Sequence, residues 1–290
     1  MRFLHRKALL MRIANLDGRL VLLTSGGALD VERASGQRFS ADPHAVYARW
    51  DEFTAWAAGL ADPEAETFDE TRLRAPSPTP SQVFGVGLNY RDHAAESGLG
   101  LPDSPAVFTK FPSCLTGPYG GIALTGSTVD WEVELVAVIG REARNVPAER
   151  GWDHVAGLTA GQDLSDRTVQ LAGPAPQFSL GKSAPGFGPT GPWLVTPDEF
   201  ADRDNLELST EVNGESVQKG RTSDLIFSVP ELVARLSAIL PLRPGDLIFT
   251  GTPSGVGMAR SPQRFLAAGD ELVTTVEGIG SMRHRFTEPS

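Results

Sequence analysis

The chain has 290 residues, 40% of them hydrophobic, which is enough apolar material for a sizeable core and a second small domain. Its formal net charge of −10 argues against nucleic-acid binding, and its single cysteine excludes an internal disulfide and a thiolate zinc cluster. No apolar run approaches the roughly 18 residues of a membrane helix, and the N-terminus lacks a secretory signal pattern, so a cytoplasmic protein is expected.

The first part of the chain predicts a small α+β domain at residues 11–75. The segment MRIANLDGRLVLL places Asp17 and Gly18 between two apolar stretches, which indicates a β-hairpin. Residues 42–60 carry apolar side chains at spacings of three and four, which is typical of an amphipathic helix. Residues 1–10 show neither pattern and are interpreted as a terminal tail.

A proline-rich linker at residues 76–81 is predicted to join this domain to a larger one at residues 82–290. Prolines alternate with small residues in APSPTPS, which favours an extended connector. Beyond it, short apolar runs alternate with glycine and proline, and Asn213–Gly214 indicates a second hairpin. The segment SVPELVARLSAIL predicts a helix with Ser228 as its N-cap. The larger domain is therefore expected to be rich in β-strands.

Two glutamates interrupt an otherwise apolar predicted strand. Glu132 and Glu134 lie two residues apart in DWEVELVAVIG, so a strand would place both on one face, about 7 Å apart. The apolar run that follows indicates a buried strand, where a divalent cation would offset the cost of the carboxylates; a pair of exposed surface carboxylates is the alternative. Asp163 or Asp166 in AGQDLSDRTVQ offers a third ligand, and Asp163 is preferred because it follows an apolar, glycine-rich run.

His93 and Glu96 in GLNYRDHAAES are spaced so that a helix would bring their side chains into contact. Lys182 lies in SLGKSAPG, but Pro176 stands where a phosphate-binding loop requires a glycine. The segment GVGLNY likewise has Tyr90 where the dinucleotide-binding fingerprint requires its third glycine. Nucleotide binding is therefore not expected, and Lys182 is a candidate charge partner for the predicted metal site.

Segments of residues 82–290 resemble the fumarylacetoacetate hydrolase family, and they occur in the family's order. They are GLNYRDHAAE, DWEVELVAVIGR, AGQDLSDRTVQ, GKS, PTGPWLVT, VNGESVQKG, LRPGDLIFTGTPSGVG and FLAAGDELVTTVEGIG. The resemblance implies a mainly β fold with some α, a mixed β-sandwich roll preceded by the small N-terminal α+β domain. It also implies a homodimer that binds Mg²⁺ or Mn²⁺, with Ca²⁺ as a further candidate.

The resemblance implies a role for each candidate residue. The metal ligands would be Glu132, Glu134 and Asp163; the water-activating dyad would be His93 and Glu96; the residues facing the substrate would be Lys182, Arg167, Gln170 and Thr252. Lys182 is also predicted to be catalytic, by offsetting developing negative charge or by supplying a proton. One departure from the family's pattern is Asp166, which stands directly before Arg167. An extra acid at this position is a reason to expect a weaker grip of the arginine on a substrate carboxylate.

These residues together favour hydrolysis of a C–C bond in a 1,3-diketo acid, such as an acylpyruvate or fumarylacetoacetate. The expected substrate is therefore a small anionic 2-oxo acid. The enzymatic alternative is decarboxylation, tautomerisation or isomerisation of oxaloacetate-like or unsaturated 2-oxo dicarboxylic acids, which uses similar enolate chemistry without activated water. The non-enzymatic alternative is a calcium-stabilised binding module, which leaves His93, Glu96 and Lys182 without a role.

Overall fold

The computed structural model describes residues 11–60, 64–96, 98 and 100–289, so the predicted tail at residues 1–10 lies outside the described residues. The strands are β1 (Arg12–Leu16), β2 (Arg19–Thr24), β3 (Gly27–Asp30), β4 (Leu73–Arg74), β5 (Val83–Gly87), β6 (Ala106–Thr109), β7 (Leu115–Thr116), β8 (Tyr119–Ala123), β9 (Val129–Asp130), β10 (Val133–Ile139), β11 (Val155–Gln162), β12 (Ser165–Asp166), β13 (Gly188–Val195), β14 (Glu207–Val212), β15 (Glu215–Arg221), β16 (Leu247–Phe249), β17 (Glu271–Val276) and β18 (Gly280–Thr287).

The helices are short. They are α1 (Val31–Ala34), α2 (Trp50–Ala58), α3 (Arg91–Glu96), α4 (Arg167–Gln170), α5 (Phe178–Gly181) and α6 (Val229–Ser237). Within the described part of the chain, none of them has the length and apolar character that would let it cross a membrane.

The strands form two main sheets. The large sheet has eleven strands, with a main path of β3-β2-β1-β13-β11-β10-β16-β5-β6, β4 paired to β1 and β7 paired to β13. The small sheet has the order β15-β14-β17-β18-β8, and β9 and β12 form a separate two-stranded ribbon. This architecture confirms the prediction of a mainly β fold with some α.

β10 is buried along its whole length because both of its faces meet a core. Val133 and Leu135 on one face pack with residues of the small sheet and α6. Val136 and Val138 on the other face pack with residues of β2 and α2. A strand covered on both faces has no need of polar alternation, which explains the continuous apolar run after Glu134.

The N-terminal residues share the large sheet and one of its cores with the rest of the chain. β1 pairs with β13 through Arg12↔Val195 and Ile13↔Leu194, and Phe53 of α2 lies in the same core as Val136. The domain boundary at residues 76–81 stays a prediction. A fragment that begins there would expose the apolar face that α2 covers, so its solubility is the measurement that decides the boundary.

Both predicted hairpins are confirmed. Asp17 and Gly18 connect β1 to β2 with φ angles of 50° and 83°, and Asn213 and Gly214 connect β14 to β15 with φ angles of 53° and 80°. Positive φ at both central residues gives the turn a twist that matches the twist of the paired strands. Asp, Asn and Gly adopt this conformation at lower cost than other residues, so the sequence signal has a direct steric cause.

The two predicted helices differ in how closely the sequence set their ends. α6 begins after Ser228 as predicted, because Ser228 and Glu231 form a reciprocal capping box that satisfies backbone N–H groups of the first turn. The helical pattern over residues 42–60 instead divides into a 3₁₀ segment (Ala45–Arg49) and α2, and neither has a side-chain N-cap hydrogen bond. Periodicity located this helix, but its start was not encoded by a capping residue.

His284 on β18 should make stability depend on pH. Its ring is buried, Nε2 donates to the carbonyl oxygen of Gly117 at 3.0 Å, and burial lowers the pKa of His284 from 6.5 to about 4. The unfolded chain therefore binds more protons between these two values, so stability should fall as the pH drops through this window, by about 3 kcal/mol at most. Urea unfolding at pH 7 and pH 4.5 should show a smaller drop for His284→Gln than for the wild type, and equal drops would contradict the assignment.

Candidate metal centre and active site

Two antiparallel strands bring the three predicted carboxylates together. β10 and β11 pair in an antiparallel register that places Val133 opposite Gln162. Glu132 and Asp163 are the next residues beyond this pair and are therefore neighbours. The N–H of Asp163 donates to the carbonyl oxygen of Glu132 at 2.9 Å. Glu132, Glu134 and Asp163 each offer a carboxylate oxygen, these atoms lie within 4.8 Å of one another, and all three residues are buried. We call these three residues the acidic triad.

Lys182 and Arg167 contact the acidic triad directly. The Nζ atom of Lys182 donates to Glu132 Oε2 at 2.9 Å and to Asp163 Oδ2 at 2.7 Å. Arg167 Nη1 lies 2.7 Å from Glu132 Oε1. Burial opposes ionisation of Glu132, but the positive charges of Lys182 and Arg167 outweigh it and lower the pKa of Glu132 to about 2. Glu132 is therefore a carboxylate at neutral pH.

Lys110 is a further cation at the acidic triad, and the sequence analysis missed it. This lysine follows β6 and is fully buried, and its Nζ atom donates to Asp163 Oδ1 at 2.7 Å and to the carbonyl oxygen of Lys182. The sequence offers little signal for it, because in AVFTKFP Lys110 stands between Thr109 and Phe111, which are both exposed in the structure. A buried lysine is rare unless it is paired, and the burial that requires a carboxylate partner is visible only in the fold.

Glu134 is the member of the triad for which no ion pair is found among the described residues. Its Oε2 accepts a hydrogen bond from the N–H of Gly251 at 2.7 Å. Burial, together with the neighbouring charges of Asp163 and Glu132, raises the pKa of Glu134 well above its ordinary value. An uncompensated carboxyl beside two carboxylates is what a hard divalent cation with oxygen ligands would accommodate, so the triad has the donor set to hold such an ion.

His93 and Glu96 meet on α3, as their spacing predicted. His93 Nδ1 lies 3.1 Å from Glu96 Oε2, and both side chains are mostly buried. One loop joins this pair to the acidic triad, because the N–H of Gly251 donates to Glu134 Oε2 and the N–H of Gly255 donates to Glu96 Oε1. Because Nδ1 faces Glu96, Nε2 is the ring nitrogen left to exchange a proton.

Loops from other parts of the chain hold α3 in place. The side chain of Asn89, in the turn before α3, donates to the carbonyls of Phe227 and Thr250 and accepts from the N–H of Phe227. Glu96 accepts from the N–H of Gly255 at 3.0 Å. Gly255 has a φ of 101°, and a Cβ there would collide with the carbonyl oxygen of Val217, so this contact requires a glycine.

Asp166 does not act on Arg167 in the way the sequence suggested. Its carboxylate caps α4 by accepting from the N–H groups of Thr168 and Val169. The acid that holds Arg167 is Asp130 at the end of β9, which accepts from Nε at 2.9 Å and Nη2 at 2.8 Å. Asp130 therefore orients the guanidinium from one side while Nη1 faces Glu132.

Gln170 and Thr252 are buried, and both are engaged with protein groups. Gln170 Oε1 accepts from Arg167 Nη1 at 2.9 Å, which connects it to the acidic triad. Thr252 Oγ1 accepts from Gln218 Nε2 at 2.9 Å, and Gln218 Oε1 accepts from the N–H of Val133. Their contact with substrate stays a prediction.

Comparison with known proteins places the chain in a family. The family model described as fumarylacetoacetate (FAA) hydrolase C-terminal matches residues 82–287. The chain belongs to the fumarylacetoacetate hydrolase family. The family suggested by the sequence motifs is thereby confirmed, and the mainly β fold agrees with it.

Several relatives extend this comparison. The structure of an HpcE-like protein from Mycobacterium smegmatis has a TM-score of 0.93 and 56% identity, covering 97% of this chain and 100% of that one. Oxaloacetate tautomerase FAHD2A, mitochondrial, from Homo sapiens is 42% identical over 213 residues, which are 73% of this chain and 68% of the relative. Maleylpyruvate hydrolase from Sphingobium sp. SYK-6, solved with manganese(II) and pyruvate, has a TM-score of 0.78 and 27% identity, covering 97% of this chain and 100% of that one. The family is thus one of enzymes and includes both hydrolases and tautomerases.

Proposed function

We propose that this protein is a divalent-cation-dependent enzyme that cleaves a C–C bond in a small 1,3-diketo acid of the acylpyruvate or fumarylacetoacetate type. The observation that carries the proposal is the hydrogen-bonded pair of His93 and Glu96 beside a buried triad of carboxylates. A triad alone would suit any bound ion. A histidine held by a carboxylate beside the triad adds a general base, which hydrolysis requires.

The acidic triad would hold the cation through Glu132, Glu134 and Asp163. Mg²⁺ and Mn²⁺ are the preferred ions, since both accept oxygen ligands, and Ca²⁺ is a third candidate. The manganese in the maleylpyruvate hydrolase relative supports this choice. When bound, the cation would supply electrostatic stabilisation of the negative charge that develops on the substrate oxygens.

His93 would act as the base that activates water. Nε2 accepts a proton from a water molecule, and Glu96 beside Nδ1 stabilises the positive charge that forms on the ring. With an acylpyruvate, the hydroxide adds to the carbonyl carbon of the acyl end, and the C–C bond then breaks with its electron pair passing to the pyruvate-type enolate. The enolate carbon that was part of the broken C–C bond then takes up a proton, so the products are a carboxylic acid and a 2-oxo acid.

Lys182, Arg167, Gln170 and Thr252 are the proposed substrate-facing residues. Lys182 carries its charge directly beside Glu132 and Asp163, where it would offset negative charge on the departing enolate. Arg167 and Gln170 form one hydrogen-bonded unit with Glu132, so they would position a substrate carboxylate. Thr252 is assigned on the family resemblance alone.

Oxaloacetate tautomerisation is a second candidate function. The observation that favours it is the 42% identity to the human oxaloacetate tautomerase. Moving a proton between carbon and oxygen of a 2-oxo acid also needs a base such as His93, but it consumes no water. The two functions therefore share the site and differ in whether water reacts.

The calcium-stabilised binding module gives no role to His93, Glu96 or Lys182, and enzymatic relatives weigh against it.

The experiment that tests the proposal uses Mn²⁺-loaded protein in ¹⁸O-labelled water with acetylpyruvate, fumarylacetoacetate and oxaloacetate. We expect cleavage of a diketo acid, one labelled oxygen in the acid released from the acyl end, and loss of turnover with EDTA. Rapid keto–enol exchange of oxaloacetate with no cleavage of either diketo acid would instead favour the tautomerase.

A homodimer and a cytoplasmic location stay predictions. The name of the human relative places that protein in the mitochondrion.

A further inference from the structure

Cationic side chains already occupy most of the carboxylate oxygens of the acidic triad. Arg167 contacts Glu132 Oε1, Lys182 contacts Glu132 Oε2 and Asp163 Oδ2, and Lys110 contacts Asp163 Oδ1. Four oxygen atoms of two ligands therefore each face a positive charge at 2.7 to 2.9 Å. An incoming cation therefore has to share any oxygen of Glu132 or Asp163 that it binds with a positively charged side chain. No such side chain pairs with Glu134 among the described residues.

The charges of the site do not balance once a divalent cation is bound. The acidic triad and the charged groups joined to it by ion pairs are the four carboxylates Asp130, Glu132, Glu134 and Asp163 and the three cations Lys110, Lys182 and Arg167. With Glu134 ionised, as its binding of a cation requires, these groups sum to −1 before the charge of the ion is added. A divalent ion changes this sum to +1 in a site whose members are almost completely buried. An unbalanced buried charge is costly, and an anionic ligand would remove that cost.

Lys110 differs from Lys182 and Arg167 in having no proposed contact with the substrate. Lys182 and Arg167 are proposed to face the substrate, and Lys110 is not; its ammonium is held between Asp163 Oδ1 and the carbonyl of Lys182. Its side chain is fully buried, and its stem lies beside Gly188, where a Cβ would be 3.4 Å from Lys110 Cε. Its positive charge therefore stays next to the triad whether or not a ligand is bound.

We infer that Lys110 is a positioning residue that makes cation binding depend on the anionic substrate. This inference rests on the proposed function and deepens it. Lys110 weakens the affinity of the acidic triad for a cation alone by repulsion and by occupying one oxygen of Asp163. A 2-oxo acid anion supplies the missing negative charge, so cation and substrate bind with positive coupling, and the coupling acts equally in both directions.

The test measures Mn²⁺ affinity by calorimetry, with and without oxalate, a dianion that resembles the chelating end of a 2-oxo acid. Wild-type protein should bind Mn²⁺ at least about tenfold more tightly with oxalate. Lys110→Met should bind Mn²⁺ without oxalate at least about tenfold more tightly than wild type, because a positive charge close to the ion is removed. The gain in Mn²⁺ affinity that oxalate causes should be correspondingly smaller in Lys110→Met than in wild type. Lys110→Gln, which retains a donor for Asp163 without charge, should behave like Lys110→Met.

The matched control is Lys219→Met, which removes the same charge from an exposed lysine of β15 that pairs with Glu207. It should leave Mn²⁺ affinity and coupling as in wild type. The inference is overturned if Lys110→Met and Lys110→Gln, shown to be folded by circular dichroism, bind Mn²⁺ no more tightly than wild type. It is also overturned if wild type binds Mn²⁺ equally with and without oxalate. Failure of wild type to bind Mn²⁺ even with oxalate would overturn the proposed function as well, so the two failures are distinguishable.

Discussion

Glu134→Gln is expected to weaken Mn²⁺ binding by more than about 100-fold and to reduce turnover to background. The change keeps the size of the side chain and lets an amide occupy the position facing the N–H of Gly251, but it removes the carboxylate for which no ion pair was found in the described residues. Loss of even a residue that only supports a ligand typically costs 10- to 100-fold in affinity, so loss of a ligand should cost more. Calorimetric titration with Mn²⁺ and a turnover assay measure both effects.

The melting temperature gives the Glu134→Gln experiment an independent readout. Saturating Mn²⁺ should raise the melting temperature of wild type, because the ion binds only the folded state, and it should hardly change that of the variant. The matched control is Glu211→Gln, an exposed glutamate on β14, which should bind Mn²⁺ like wild type. If Glu134→Gln retained wild-type affinity and turnover, the acidic triad would not be the metal site.

His93→Ala is expected to reduce cleavage of a diketo acid by about 10² to 10⁴, the usual cost of losing a general base. Decarboxylation of oxaloacetate, if the enzyme performs it, should fall much less because that reaction needs no activated water. Glu96→Gln should show the same bias more weakly, since the imidazole remains but loses the carboxylate beside Nδ1. Steady-state kinetics on both substrates measure the two losses side by side.

A histidine outside the site provides the control for His93→Ala. His154 lies in the 3₁₀ segment Ala148–His154, where its Nδ1 donates to the carbonyl of Glu142 at 3.0 Å, so His154→Ala should leave both reactions unchanged. Binding of Mn²⁺ should also survive in His93→Ala, because all members of the acidic triad remain. Equal losses in both reactions would identify His93 as a proton shuttle common to them and would argue against water activation.

Local spacing was sufficient to predict several parts of the site. His93 and Glu96 could be paired because residues three apart share one face of any helix, and α3 supplies that helix. Glu132 and Glu134 could be paired because alternate residues share one face along a strand. In each case the distance between the two side chains depends on the geometry of one short segment. The hairpins at Asp17–Gly18 and Asn213–Gly214 were predictable for the same reason, since φ preferences are local.

Sequence adjacency was a poor guide to which charges meet. Asp166 is the neighbour of Arg167 in the chain, yet it caps α4, while Asp130, 37 residues away, holds the guanidinium. Lys110 was overlooked because its partner Asp163 is 53 residues away. These pairs form only when β9, β11 and the residue after β6 converge, and no periodicity along the chain records that convergence.

The sequence by itself therefore determined the family, the mainly β class, the turns and which residues form the acidic triad and the His93–Glu96 pair, because each depends on local backbone preferences or on motifs in a fixed order; the catalytic roles of these residues stay predictions. Only the tertiary structure decided which cation neutralises which carboxylate. Burial removes the water that would otherwise screen these charges, so Lys110, Lys182 and Arg167 must each lie within contact distance of an acid. That requirement is met by packing of distant segments, which is why the charge balance of the site became visible only in the folded chain.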